Sequence, residues 1–178
     1  MPSKPAVILI AALLLHAASA ADPDPCTRFT WDVSHELAVM QQKPRAIAAA
    51  TKPGSDAPLL EVGRLYEVRL VPQAEVTFAV TPGRQKRDDD AHAGMVRLRT
   101  EKPGRYRIAL SSRHWVDIVD GGKPIESRDF QGAAGCSRPH KIVEFDLPGD
   151  SELVLQLSGA REAAILLGVT ALAPASAR

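Results

Sequence analysis

The chain has 178 residues, with 22 lysines and arginines against 21 aspartates and glutamates, so its net charge is +1 at pH 7. This balance gives no electrostatic support for nucleic-acid binding, which depends on neutralising many phosphates. The length suits one domain whose core is large enough to fold without a metal or a dense disulfide network. We therefore expect no nucleic-acid partner and no cofactor.

Residues 1–20 have the three zones of a cleavable export signal. Lys4 supplies the positive start, residues 6–15 form an apolar run, and the end at Ala18 and Ala20 offers small side chains to a signal peptidase. The apolar run is shorter than the ~20 residues needed to cross a bilayer, and no other segment is suitable for a membrane span. The sequence predicts cleavage after Ala20 and a soluble periplasmic or secreted protein.

Both cysteines, Cys26 and Cys136, follow the predicted cleavage site. In an oxidising compartment two cysteines can form one intramolecular disulfide. The alternative is a pair of buried free thiols, and the absence of a C-x-x-C pair argues against redox catalysis. We predict a Cys26–Cys136 disulfide that attaches the N-terminal segment to the rest of the chain.

The predicted elements begin with a proline-rich lead-in, one helix and a loop, which together occupy residues 21–62. In the helix, residues 32–41, one face carries Val33, Leu37 and Met40. Residues 43–58 contain three prolines and a glycine without a clear period, which is typical of a long loop.

From Gly63 onward the hydrophobic period changes to two, which is typical of strands with one buried face. Turn sequences such as Lys102-Pro103-Gly104 separate the runs. This spacing predicts an antiparallel β-sandwich, jelly-roll-like, of about seven to nine strands across residues 63–178. The predicted strands fall within residues 66–70, 76–80, 96–99, 106–110, 115–118, 143–147, 153–157 and 164–169.

Four arginines form the first candidate ligand-binding surface. Arg97 and Arg99 alternate with apolar residues in one predicted strand, and Arg105 and Arg107 do so in the next. A tight turn between the strands would bring all four onto one exposed face. Guanidinium groups suit carboxylates and phosphates, so an anionic ligand or acidic partner would neutralise them. The alternative is pairing with carboxylates of neighbouring strands, namely Glu67, Glu144 and Asp146.

Trp115 is the second candidate. Alternation places Trp115 and Asp117 on the strand face opposite Val116. A tryptophan there could stack on a sugar or anchor a partner, and the alternative is that it covers the edge of the core. Residues 111–117 contain the residue types of a serine hydrolase, but no G-x-S-x-G or H-E-x-x-H motif is present.

A metal-dependent enzyme is the rival class of protein. Three aspartates at 88–90 and His92 are cation ligands by type. The loop has no EF-hand spacing, and its basic neighbours favour a solvated, self-neutralising loop. A distant zinc ligand at His114 or His140 cannot be inferred from spacing. We therefore predict no metal site.

Two stretches resemble known exported proteins. Residues 104–122 (GRYRIALSSRHWVDIVDGG), then residues 136–147 (CSRPHKIVEFDL) and a Leu-rich strand, resemble small exported proteobacterial proteins of unassigned function. The rhythm is also similar to bacterial pre-peptidase C-terminal β-sandwiches, in which a P-G-x-Y turn opens a strand. The resemblance covers residues 60–170, and it implies an accessory or binding role without transferring any catalytic residue.

These features together predict an exported, non-catalytic binding or accessory protein. We expect it to bind an anionic or carbohydrate ligand, such as an anionic glycan, or a cell-envelope protein. The alternatives are a metal-dependent or hydrolytic periplasmic enzyme and a structural envelope protein without a small-molecule site. The predicted ligand-binding residues are Arg97, Arg99, Arg105, Arg107 and Trp115.

Overall fold

The computed structural model describes residues 24–54, 56–83 and 90–172. The predicted signal peptide, residues 1–20, and part of the acidic loop, residues 84–89, lie outside this described part. Within it the chain is mainly β, and the predicted β-sandwich with one N-terminal α-helix is confirmed. No helix in the described ranges has the length and apolar character needed to cross a membrane.

The N-terminal segment contains a 3-10 turn (Pro25–Arg28) and the helix α1 (Ser34–Met40). A second 3-10 turn (Gln73–Glu75) follows the fourth strand. The strands in chain order are β1 (Arg45–Ala48), β2 (Leu59–Leu60), β3 (Leu65–Arg69), β4 (Val71–Pro72), β5 (His92–Thr100), β6 (Gly104–Leu110), β7 (Trp115–Asp120), β8 (Lys123–Ile125), β9 (Ser127–Gly132), β10 (Lys141–Leu147), β11 (Ser151–Ala160) and β12 (Ala164–Ala171).

Two six-stranded sheets form the sandwich. Sheet A has the spatial order β1-β3-β12-β6-β10-β9, and sheet B has the order β2-β5-β11-β7-β8, with β4 also paired to β5. Strand β1 runs parallel to β3, and β2 runs parallel to β5. Every other strand pair in the described ranges is antiparallel. The sheets are therefore mixed, because two short strands from the N-terminal segment join their edges.

The described part contains twelve strands, more than the predicted seven to nine. The additional strands are β1, β2, β4, β8 and β9, which are short or exposed and so show no clear alternation. Because β1 occupies Arg45–Ala48, the prediction of a loop across residues 43–58 is wrong for that part, whereas residues 49–54 and 56–58 belong to no helix or strand.

The predicted strand at residues 76–80 is also wrong. This segment pairs with no strand and instead lies against sheet B, where the side-chain amide of Gln156 donates to the carbonyl oxygen of Val80 at 3.1 Å. The backbone N–H of Val80 in turn donates to the side-chain oxygen Oε1 of Gln156 at 3.4 Å. Val76, Phe78 and Val80 are partly buried, so their alternation reflects packing without a strand ladder.

The inner faces of the two sheets enclose one apolar core. Alternation along β10 shows the arrangement, since Val143 and Phe145 join the core whereas Glu144 between them lies on the outer face of sheet A. Fully buried core side chains include Tyr66, Leu98, Ile108, Phe145 and Leu153.

The N-terminal segment covers the outer face of sheet A and buries a second apolar cluster there. The close approach of α1 requires a glycine in β12, because a Cβ on Gly168 would lie 2.7 Å from Cγ1 of Val39. The predicted helical face is confirmed, with Val33 and Met40 buried and Leu37 packed beside them. The second cluster contains Val33, Val39, Met40, Leu65, Ala109 and Ile142.

The predicted disulfide is confirmed. Cys26 and Cys136 are bonded across a sequence separation of 110 residues. The bond links the first 3-10 turn to the loop between β9 and β10. Arg28 strengthens the same junction by donating to the carbonyl oxygen of Ala134 at 3.2 Å.

We expect replacement of both cysteines by serine to lower the free energy of unfolding by about 2–5 kcal/mol, because the disulfide closes a long loop in the unfolded chain. Urea denaturation followed by circular dichroism measures the change. Wild-type protein in a reducing agent is the matched control and should lose a similar amount. No loss in either sample would show that packing of α1 alone fixes the N-terminal segment.

Candidate functional site

The structure separates the four predicted ligand-binding arginines into two pairs. Arg97 and Arg99 lie on β5 in sheet B, whereas Arg105 and Arg107 lie on β6 in sheet A. The expectation of one shared arginine face is therefore wrong. The intervening turn crosses from one sheet to the other, and the outer faces of packed sheets point in opposite directions.

Glu152 on β11 pairs with both arginines of the first pair. Nη1 of Arg97 donates to this carboxylate at 2.7 Å, and Nη2 of Arg99 donates to its other oxygen at 3.1 Å. These hydrogen bonds lower the pKa of Glu152 below its usual value, and the bond from Arg97 has the larger effect. Glu152 was not among the predicted partners, because only the register of β11 against β5 places it opposite Arg99.

The second pair forms ion pairs with carboxylates of β10. The sequence suggests this pairing as the alternative to an anionic ligand. Nε of Arg105 lies 3.4 Å from a carboxylate oxygen of Glu144 and 3.8 Å from one of Asp146. Nε of Arg107 donates to Glu144 at 3.0 Å. The register of β10 against β6 sets Glu144 opposite Arg107 and Asp146 opposite Arg105. Glu67, the third carboxylate expected there, takes no part in these pairs.

Arg107 is almost fully buried and holds the N-terminal segment against sheet A. Its guanidinium stacks on the ring of Trp31 at 4.4 Å and donates to the carbonyl oxygen of Asp32 at 2.8 Å. The same group lies 3.6 Å from the carboxylate of Glu36, which is fully buried and accepts a hydrogen bond from Thr170. In this structure the guanidinium is therefore occupied by the protein itself. A ligand-binding role for any of the arginines stays a prediction.

We expect Arg107→Met to lower the free energy of unfolding by about 3–5 kcal/mol, because it leaves the buried carboxylate of Glu36 without its cation. The matched control is Arg105→Met on the same face of β6. Arg105 is about half exposed, so this change should cost at most about 1 kcal/mol. Urea denaturation compares the two variants, and equal losses would contradict the structural role assigned to Arg107.

Trp115 lies at a cleft of about 540 Å³ that opens between the two sheets. Sheet B contributes the beginning of β7 and the end of β11, and sheet A contributes β9 and the beginning of β10. The lining side chains with polar or aromatic groups include Arg113, His114, Trp115, Phe130, His140 and Lys141.

A lysine in this cleft lies close to two aromatic rings. Nζ of Lys141 is 5.2 Å from the centroid of the Trp115 ring and 5.7 Å from that of Phe130, within the range of cation–π interactions. It also donates to the carbonyl oxygen of His114 at 3.2 Å. The indole N–H of Trp115 donates to Asp117 at 2.7 Å, which fixes the ring orientation. Phe130 is 64% exposed, so the aromatic surface faces solvent.

His114 forms a buried part of the cleft wall. Its Nδ1 lies 3.2 Å from the hydroxyl oxygen of Ser112. Burial, and to a smaller extent the positive charges of Lys141 and His140, lower the pKa of His114 from 6.5 to about 3. The imidazole is therefore neutral at pH 7.

We expect the free energy of unfolding to fall as the pH drops from 6.5 towards 3. In that window the unfolded chain protonates His114 and the folded chain does not, so proton binding favours unfolding. The pKa difference corresponds to on the order of 4 kcal/mol. Urea denaturation across this pH range should show a weaker pH dependence for His114→Gln than for wild type, and identical curves would contradict the buried, neutral state.

The structure brings together two of the histidines considered for a metal site. His114 and His140 both line the cleft, whereas His92 lies at the start of β5. Of the acidic run 88–90, only Asp90 belongs to the described residues. Among those residues no group of three histidine, cysteine, aspartate or glutamate side chains is placed to hold a metal ion.

Sequence reasoning missed Phe130 and Lys141. Phe130 belongs to β9, whose exposed residues show no alternation, and Lys141 is the first residue of β10. A phenylalanine alone in the polar run SRDFQG is the one local signal that could have drawn attention to this surface. Its proximity to Trp115 depends on how the two sheets pack.

No known protein-family model matches the chain, and comparison with curated proteins finds no match. The fold and the cleft therefore define the chain as a mixed β-sandwich with an aromatic, lysine-containing cleft. The resemblance to pre-peptidase C-terminal sandwiches stays a prediction.

Proposed function

We propose that this chain is an exported, non-catalytic binding protein whose ligand is an acidic carbohydrate held in the cleft between the sheets. The observation that carries the proposal is the position of the Lys141 ammonium group within 5.2 Å of the Trp115 ring centroid and 5.7 Å of the Phe130 ring centroid. Aromatic faces present apolar surface on which the C–H face of a sugar ring can stack. An ammonium group beside them can pair with a carboxylate on that sugar.

The size and charge of the cleft support the same ligand class. Its volume of about 540 Å³ lies within the range of small-molecule sites, which combine apolar walls with a few polar groups. None of the described residues that line it is acidic, whereas Arg113 and Lys141 are cationic. The cleft therefore favours an anion over a cation.

A second cleft at the opposite end of the sandwich is larger, about 1070 Å³, but its charges compensate one another. Arg99 and Arg105 line it together with Glu61, Glu101 and Asp146. An anion entering there would meet these carboxylates, one of which, Asp146, already pairs with Arg105. For this reason we place the ligand beside Trp115, the one predicted binding residue that lines the first cleft.

Export is supported by the disulfide, since structural disulfides persist mainly outside the reducing cytoplasm. The signal peptide predicted at residues 1–20 supports the same location. An acidic carbohydrate of the cell envelope or of the surroundings is the ligand class that this location offers.

Calorimetric titration of the chain from Ala21 onward with galacturonate oligosaccharides tests the proposal. We expect Lys141→Met and Trp115→Ala each to weaken binding by about tenfold or more, because a charge-assisted hydrogen bond or a stacking surface is lost. Lys43→Met is the matched control, since Lys43 is exposed and lines neither cleft.

The methyl-esterified oligosaccharides, which carry no charge, test the anionic part of the proposal and should bind more weakly. The proposal is wrong if wild-type protein binds neither form. It is also wrong if Lys43→Met reduces affinity as much as Lys141→Met.

A further inference from the structure

Two buried polar atoms beside the cleft have no hydrogen-bond partner among the described residues. They are Nε2 of His114 and the hydroxyl oxygen of Ser158. Both residues line the cleft, and they are only 4% and 2% exposed. Native proteins contain few such atoms, because a buried donor or acceptor without a partner has lost its hydrogen bonds to water and forms none within the protein.

The fold places both residues next to the groups that form the proposed site. His114 directly precedes Trp115, and the register of β11 against β7 sets Ser158 opposite Trp115. Nδ1 of His114 is already engaged by Ser112, so Nε2 is the nitrogen left over. The carbonyl oxygen of His114 accepts a hydrogen bond from Lys141. The aromatic surface, the ammonium group and the two unpartnered atoms therefore belong to one site.

We infer that the ligand of this cleft is a hydroxyl-rich acid whose hydroxyl groups pair with Nε2 of His114 and the hydroxyl of Ser158, while its carboxylate pairs with Lys141. This inference rests on the proposed function and makes His114 and Ser158 specificity-determining residues. A hydroxyl group both donates and accepts, so it can satisfy either tautomer of a neutral imidazole and a serine hydroxyl. An ionised carboxylate or phosphate only accepts.

The neutral state of the His114 ring suits this role. A neutral imidazole keeps one donor and one acceptor nitrogen, whereas a charged ring has donors only and would attract any anion. Burial and the charges of Lys141 and His140 lower the pKa of His114 to about 3. His114 and Ser158 thus select ligands that carry hydroxyl groups, and Lys141 attracts the negatively charged carboxylate.

Both unpartnered atoms are shielded from bulk water in the free protein, so side chains at the cleft must shift to admit the ligand. Lys141 is the side chain that a carboxylate would draw away from the carbonyl oxygen of His114. Ligand binding should therefore change the surroundings of the Trp115 ring. Tryptophan fluorescence in a Trp31→Phe background reports this change, because Trp115 is then the sole tryptophan.

The test compares two six-membered-ring acids, galacturonate and cyclohexanecarboxylate, which differ in their hydroxyl groups. Wild type should prefer galacturonate, as monomer or oligosaccharide, by about tenfold or more. Ser158→Ala and His114→Phe should each remove most of that preference by weakening galacturonate binding alone. His114→Gln keeps a polar amide near the position of Nε2 and should retain part of the preference for galacturonate.

Thermal denaturation of the free Ser158→Ala protein supplies a second measurement. Because the change removes a buried hydroxyl that has no partner, the melting temperature should stay the same or rise while galacturonate affinity falls. A purely structural role for Ser158 would lower both together.

Equal losses of affinity for both acids would overturn the inference. The inference would also be overturned if Ser158→Ala and His114→Phe bound galacturonate as tightly as wild type while Lys141→Met abolished binding. That result would leave the proposed function standing. If wild-type protein binds galacturonate in neither form, the proposed function and the inference both fail.

Discussion

The buried guanidinium of Arg107 is the interaction on which the arrangement of the N-terminal segment depends. It stacks on Trp31, pairs with Glu144 and lies beside Glu36, so groups from the N-terminal segment, α1 and β10 meet at one cation of β6. Buried charges are tolerated only where they are paired in good geometry. In its orientation on sheet A the helix brings these charges together, and the close approach of Val39 to Gly168 belongs to the same orientation.

The N-terminal segment is also attached to one wall of the cleft, through the loop between β9 and β10. The disulfide ties Cys136 in that loop to the N-terminal segment. The carbonyl oxygen of Cys136 lies 3.2 Å from Nδ1 of His140, and Lys141 follows directly. The covalent bond thus acts on the loop that leads directly to Lys141. The structural and the proposed functional parts of the molecule share this loop.

Charged and polar groups are satisfied differently in the two regions. On the outer faces of the sheets, arginines meet carboxylates of neighbouring strands, as Arg97 meets Glu152. At the cleft, the ammonium group of Lys141 adjoins two aromatic rings, and two buried polar atoms, on His114 and Ser158, have no hydrogen-bond partner among the described residues. Ion pairs stabilise a closed surface, whereas unsatisfied polar atoms beside an open cleft favour a ligand. Glu36 beside Arg107 also has an oxygen, Oε2, without a hydrogen-bond partner, but this oxygen lies 3.6 Å from the guanidinium. The unpartnered atoms of His114 and Ser158 belong to residues that line an open cleft, and this difference is why the proposed site lies at Trp115 and not at the arginines.

The sequence by itself determined the features that depend on local pattern. Period-two alternation located seven of the eight predicted strands, helical spacing located α1, and the export context led to the Cys26–Cys136 pair. Only the tertiary structure decided which strands share a sheet, and hence that Arg97 and Arg99 belong to sheet B whereas Arg105 and Arg107 belong to sheet A. It also decided that Phe130 approaches Lys141. Contacts of this kind depend on register and sheet packing between distant segments, which alternation within one strand does not encode.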